Sequence, residues 1–316
     1  MLTGRTPPTV WNPPMPRSSW PESTAVHADS IVAQFRVDEP PNYIPHGNEE
    51  TEFQVAHASR IPLIIKGPTG CGKTRFIEYM AWKLDLPLIT VSCHEDLTAA
   101  DLVGRFLLKD NETVWQDGPL TLAVRNGGIC YLDEIVEARK DTTVIIHSLT
   151  DDRRILYLDK TGEVVRAHPN FMMILSYNPG YQSIIKDLKQ STKQRFASLV
   201  FGQPTVEQQT RIIHTETGLD EPTSLRLARV GAKIGELKGF GLDEAISSRL
   251  LVYVGRLIRG GLSPADACNC AIAQTVCDEP EVVESINSIV ALYFGDVMDA
   301  APDEPPVTDG DDPPTA

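Results

Sequence analysis

The sequence predicts an α/β protein: a parallel five-stranded sheet covered by helices, followed by a small all-helical domain. Three observations carry that reading. Between residues 61 and 201, short apolar runs with no polar face alternate with helical stretches, as in a sheet buried on both sides. From Thr205 to about Gly295, only helical segments follow. A glycine-rich loop, Gly67 to Thr74, joins the first apolar run to the first helix.

In chain order, Ile61–Lys66 (IPLIIK) reads as the first strand and Gly72–Leu84 as the first helix. The second strand is Pro87–Ser92 (PLITVS), the third Gly128–Asp133 (GICYLD), the fourth Phe171–Tyr177 (FMMILSY) and the fifth Phe196–Phe201 (FASLVF). A helix is expected at Arg139–Thr150. One stretch interrupts this plan: Gly104–Pro119 (GRFLLKDNETVWQDGP) alternates like a hairpin around Lys109–Glu112. In the second domain, helices are expected at Val206–Thr217, Pro222–Leu237, Asp243–Arg259, Pro264–Thr275 and Glu281–Phe294, with Gly and Pro at the junctions.

The expected organisation is a proline-rich disordered segment at 1–40, the α/β core at 41–204, the helical domain at 205–295 and an acidic, proline-rich disordered tail at 296–316. With 43 acidic against 29 basic residues, the formal charge of −14 argues against a general nucleic-acid surface, which needs a basic face. No apolar run reaches the roughly 18 residues of a membrane span. The first residues lack a hydrophobic signal core, so a soluble cytoplasmic protein is expected. Cys71, Cys93 and Cys130 fall in core or loop segments, as reduced thiols do, while Cys268, Cys270 and Cys277 lack the spacing of a zinc site.

Gly67-Pro68-Thr69-Gly70-Cys71-Gly72-Lys73-Thr74 fits G-x-x-x-x-G-K-[ST] between a strand and a helix. In that setting loop amides wrap phosphates at a helix N-terminus. Lys73 is expected to reach the β- and γ-phosphates of ATP, and Thr74 to hold Mg²⁺. The third strand ends Leu132-Asp133-Glu134, placing two carboxylates at the edge where open α/β sheets bind ligands. A lone Asp-Glu there is as readily a helix cap. Beside a phosphate loop it reads as Asp133 holding Mg²⁺ and Glu134 activating the attacking water. The fourth strand ends Ser176-Tyr177-Asn178-Pro179, where Asn178 is placed to orient water or touch the γ-phosphate.

This order of motifs, with a trailing helical domain, resembles an AAA+ ATPase. GPTGCGKTRF, LVGRFLL, TVWQDGPLT, CYLDEIVEARKD, SYNPGYQS and STKQRF resemble the MoxR branch, and most closely the CbbQ/NirQ/NorQ group, over residues 40 to 295. The resemblance implies a P-loop AAA+ core carrying a helix-2 insert (the hairpin at Gly104–Pro119) and a second, pre-sensor hairpin (Ile155–Val165, around Lys160–Glu163), then a helical lid. It implies a ring, usually hexameric, with nucleotide between subunits. Arg195 then corresponds to the arginine finger that reaches a neighbour's γ-phosphate, and Arg249 to the second sensor in the lid. Phe106, Leu107 and Leu108 become pore-loop contacts, while Trp115 is expected to pack on its own subunit. Arg153-Arg154 either join the neighbour's site or complement a helix C-terminus. Tyr43–Glu50 (YIPHGNEE) resembles the segment near the adenine, with His46 where a less polar residue is usual and given no role.

The implied partners are a von Willebrand factor A domain protein and a client enzyme. That client is Rubisco in the CbbQ branch, and nitric oxide or nitrite reductase in the NorQ/NirQ branch. The stretch 182–192 leans toward the Rubisco branch. Two competing readings differ in class. A nucleic-acid motor wants basic and aromatic loops, yet Asp110, Glu112 and Asp117 surround Arg105 and Lys109. A non-hydrolysing switch would leave Glu134 dispensable.

Overall fold

The structure, a computed structural model, describes residues 32–179, 188–237, 239, 242 and 244–298. Residues 299–316 of the expected disordered tail, the first part of the proline-rich head and residues 182–187 of the branch-leaning stretch lie outside these residues, while 296–298, expected in the tail, continue the last helix. Contacts divide the chain into two compact units, Met1–Gln203 and Pro204–Ala316.

In the first unit the elements are α1 (Glu49–Ala58), β1 (Leu63–Lys66), α2 (Lys73–Lys83), β2 (Leu88–Ser92), α3 (Ala99–Val103), β3 (Gly104–Lys109), β4 (Glu112–Asp117) and α4 (Pro119–Asn126). They continue with β5 (Ile129–Asp133), α5 (Lys140–Ile145), β6 (Ile155–Leu158), β7 (Glu163–Arg166), β8 (Met172–Tyr177), α6 (Gln190–Lys193) and β9 (Ala197–Val200). The five core strands pair in the order β2-β5-β8-β1-β9, all parallel. Alternate residues serve two cores. Ile64, Leu132 and Leu175 face one, while Leu63, Tyr131 and Ile174 face the other with Phe76 and Met80 of α2. That double burial is why the central strands β1, β5 and β8 have no polar face, whereas the edge strands β2 and β9 expose Thr90, Ser92, Ser198 and Val200.

The described structure starts inside the segment expected to be disordered. Phe35 packs on the core, its carbonyl accepts the Leu88 N–H at 2.8 Å, and Arg36 pairs with Asp85. Four helices were not expected from the sequence: α1, α3 with its Thr98/Asp101 capping box, α4 with Pro119 in its first turn, and the short α6. The helix expected at Arg139–Thr150 ends at Ile145 and tightens into a 3₁₀ turn, Ile146–Ser148. Its Thr142-Thr143-Val144-Ile145-Ile146 run is β-branched throughout, which disfavours a longer helix.

Both hairpins form. β3 and β4 pair Phe106 with Trp115 and Leu107 with Val114, around a two-residue turn in which Asp110 (φ 47) and Asn111 (φ 66) are both left-handed. The second hairpin pairs β6 with β7. Arg125 on α4 fastens both. Its Nε lies 2.9 Å from Asp117 at the end of β4, and its two terminal nitrogens donate to Glu163 at the start of β7 (2.7 and 2.6 Å).

The second unit contains α7 (Val206–Thr217), α8 (Glu221–Gly235), α9 (Ser248–Arg259), α10 (Pro264–Cys268) and α11 (Pro280–Met298). Thr205, Asp220, Ser247 and Ser263 cap the first four. The Ser247 cap starts α9 later than the expected Asp243. The helix expected to run to Thr275 passes instead through a π turn, Asn269–Ala273. Ile213, Leu227, Val254, Ile272, Ile286 and Phe294 are buried together as its core.

Gly104 begins β3 at φ 140, and a Cβ there would lie 2.5 Å from the Gln116 carbonyl and 2.6 Å from the Trp115 ring. Gly104→Ala is expected to cost about 1–3 kcal/mol, read as a lower urea midpoint. An unchanged midpoint would show that the hairpin base yields freely.

Candidate active site

The phosphate loop leaves β1 and enters α2 through Gly72, whose φ of 96 is left-handed. No side chain caps α2 and no acidic residue lies in its first turn, so its leading N–H groups are left for an anion. Lys73, only 9% exposed, folds back over the loop. Its Nζ donates to the carbonyls of Gly67 and Pro68 at 2.9 Å and to Asn178 Oδ1 at 2.6 Å. Asn178 also donates to Thr69 Oγ1 at 3.3 Å. Because Lys66 pairs with Tyr177, the loop begins beside the residue that follows β8.

The acid pair ends β5. Asp133 is half-buried, and its Oδ1 accepts from Tyr131 Oη at 2.7 Å and from the Ser176 hydroxyl. Tyr131 Oη is also 3.1 Å from Ser176 Oγ and 3.4 Å from Thr74 Oγ1. Burial, then the Asp133 charge, raises the Tyr131 phenol, which therefore stays protonated. Glu134 is exposed at φ 55, with its N–H given to Ser176 Oγ at 3.2 Å. A left-handed glutamate is a strained residue, held here by that bond and the following 3₁₀ turn, Ile135–Glu137. Cys93 is buried nearby, and its thiol is pushed up to about 12 by burial and then by the Asp133 and Glu134 charges. It is a protonated thiol, not a nucleophile.

The structure thus forms two hydrogen-bonded groups at the ends of β1, β5 and β8: Lys73 with Asn178, and Thr74 with Asp133 through Tyr131. Arg195 makes none of these contacts. Its Nη1 is 3.5 Å from Asp151 Oδ2 and 3.4 Å from the His147 carbonyl. Asp151 is shared with Arg153, whose Nη2 lies 2.7 Å away. Arg154 differs from its neighbour. It is not at a helix end but turned inward, donating to the Phe171 carbonyl at 2.8 Å and the Arg60 carbonyl at 3.3 Å, beside the starts of β8 and β1. Arg249 belongs to the other unit, where it is exposed in the first turn of α9.

Phe106, Leu107 and Leu108 cannot share a face, because a strand alternates. Phe106 and Leu108 are exposed (46% and 75%), while Leu107 points the other way and is half-buried. Trp115 packs on the core, meets Phe106 edge-on at 5.1 Å and donates to Asp117 at 2.7 Å. At the other end of the loop, the Tyr43 ring lies 5.2 Å from Phe76, and its hydroxyl donates to Glu49 at 2.6 Å. His46 gives Glu49 only its backbone N–H, and burial lowers its imidazole pKa.

These residues fit a nucleotide with a hard divalent cation. The uncapped helix and Lys73 suit phosphate, and Thr74 with Asp133 offers oxygen donors alone. Sequence reasoning missed Tyr131 and Ser176. A partial signal existed for Tyr131 alone, since Tyr131 and Asp133, two apart on one strand, share a face, but the contact with Ser176 comes from strand pairing.

The family described as AAA domain (dynein-related subfamily) matches residues 62–196, and the one described as CbbQ/NirQ/NorQ C-terminal matches residues 209–293. Protein CbbQ of Hydrogenophilus thermoluteolus is 56% identical over 261 residues, 83% of this chain and 98% of that protein. Protein NorQ of Paracoccus denitrificans (strain Pd 1222) is 52% identical over 81% of this chain and 94% of its own length. Denitrification regulatory protein NirQ of Stutzerimonas stutzeri is 47% identical, over 85% and 98%.

Asn178→Ala removes one of the three acceptors around Lys73 without touching the loop backbone. ATP turnover is expected to fall on the order of tenfold or more, with nucleotide affinity nearly unchanged. Phosphate release and equilibrium binding of a fluorescent ATP analogue separate the two; parallel losses would assign Asn178 to the loop's fold instead.

Proposed function

The chain belongs to the CbbQ/NirQ/NorQ family of AAA+ ATPases, and from that premise we propose that it is a ring-forming motor coupling ATP hydrolysis to the remodelling of a client enzyme. What carries the reading is likeness to a CbbQ protein over 98% of that protein's length.

In the proposed site the loop amides and Lys73 neutralise the phosphates, as the uncapped start of α2 supports. Thr74 and Asp133 hold Mg²⁺, which when bound screens phosphate charge. Glu134, exposed and with its backbone pinned, takes the proton of the attacking water. Asn178, bonded to Lys73, orients that water or the γ-phosphate. Arg195 acts on a neighbouring subunit's phosphate, a role supported by its partial exposure (34%) and by its contacts with Asp151 and the His147 carbonyl rather than with the phosphate loop. Arg249 is assigned to the second sensor by the family pattern. The assembly is a hexamer working in the cytoplasm with a von Willebrand factor A domain partner.

The client is Rubisco, a choice supported by the 56% identity to a CbbQ against 52% and 47% for NorQ and NirQ. The narrowness of that margin favours a second reading, activation of a nitric oxide or nitrite reductase. In either case the exposed Phe106 and Leu108 are the apolar contacts that the hairpin offers to a client.

Arg195→Ala is expected to bind ATP normally and to lose hydrolysis by about 10³-fold or more. Rings mixed from Arg195→Ala and Glu134→Gln subunits should regain activity, and verified mixed rings without recovery would refute a shared site. For the client, Phe106→Ala should keep basal ATPase activity yet fail to reactivate sugar-phosphate-inhibited Rubisco with the partner present. Full reactivation would remove the hairpin from the client contact.

A further inference from the structure

Tyr131 stands between the two groups assigned to the cation, and its hydrogen bonds have a determinable direction. Asp133 is acceptor-only when ionised, and a backbone N–H only donates. Ser176 therefore spends its one proton on Asp133 Oδ1 and accepts from the Glu134 N–H. Tyr131 spends its proton on the same oxygen, the closer and charged acceptor at 2.7 Å, rather than on Ser176 at 3.1 Å. Only lone pairs then remain on the Tyr131 oxygen. Thr74, 3.4 Å away, must be the donor in its contact with Tyr131.

We infer that Tyr131 is a positioning residue for the ATPase reaction: its hydroxyl sets the Thr74 rotor and the Asp133 carboxylate together. With its proton pointed at Tyr131, Thr74 keeps its lone pairs for a cation. With Oδ1 held by two hydroxyls, Asp133 keeps Oδ2, which accepts no hydrogen bond among the described residues. The ring can impose this because it is fully buried, in the same core cluster as Ile129 and Ile174 of the sheet and Phe76 of α2, the helix that carries Thr74. Outer partners of this kind tune metal affinity by orienting the ligands. The inference rests on the assignment of Thr74 and Asp133 to Mg²⁺.

The test is Tyr131→Phe in the full chain, which deletes one oxygen. Binding of a fluorescent ATP analogue is titrated with Mg²⁺, and separately measured with EDTA. The Mg²⁺ concentration at half-effect should rise roughly tenfold or more, while metal-free nucleotide affinity stays at the wild-type level. An unchanged Mg²⁺ midpoint, or an equal loss in both conditions, overturns the inference. Thr74→Val and Asp133→Asn serve as references. If neither shifts the Mg²⁺ midpoint, it is the cation assignment that falls. Should Tyr131→Phe not fold, those two variants and their double mutant carry the test in EDTA. Melting shifts that are not additive are expected, since Tyr131 links the two residues with no metal present; additive shifts overturn it.

Discussion

A buried ammonium without a counter-ion is the constraint around which the nucleotide unit is built. Lys73 is almost wholly enclosed and is met by three neutral oxygens, with no carboxylate at ion-pair distance among the described residues. Burying an unpaired charge is costly, and neutral acceptors offset only part of the cost. The uncapped start of α2 adds partial positive charge at the same place. The fold thus holds a site whose electrostatics are incomplete until an anion arrives. An anion bound there would relieve what the protein alone leaves unbalanced.

The parallel register supplies the rest. Four consecutive pairs, from Ile129 with Met172 to Leu132 with Leu175, bring Asp133 beside Ser176 at the strand ends. Lys66 with Tyr177 brings the loop beside Asn178. The strands themselves are ordinary apolar sheet with two cores. In the central strands β5 and β8 the polar side chains gather toward the C-terminal end, so the same alternation that packs the interior aims the hydroxyls and carboxylates.

The phosphate loop, acid pair and strand-four asparagine were legible in the sequence because each is a contiguous pattern fixed by local chemistry. The five strands were legible for a related reason, as runs like FMMILSY admit no solvent face. Tyr131 and Ser176 were not, because their role lies in the distance between two strands 43 residues apart in sequence. Helix α1 escaped because its mostly polar residues offer no clear apolar stripe. Arg154 read as half of a basic pair, yet its left-handed backbone turns it away from Arg153 toward carbonyls near the strand starts. Leu107 read as one of three equivalent apolar residues until the pairing of the hairpin separated it from Phe106 and Leu108.

Arg125 gives the two inserted hairpins a shared root. One guanidinium holds Asp117 from the first and Glu163 from the second, and Asp117 in turn accepts the indole of Trp115. The loops are distant in the chain but meet at one planar group, so neither can swing out without dragging on the fastening of the other. In mechanical terms they form a linked pair of levers on one axle, and because that axle is ionic and partly exposed, added salt loosens both at once.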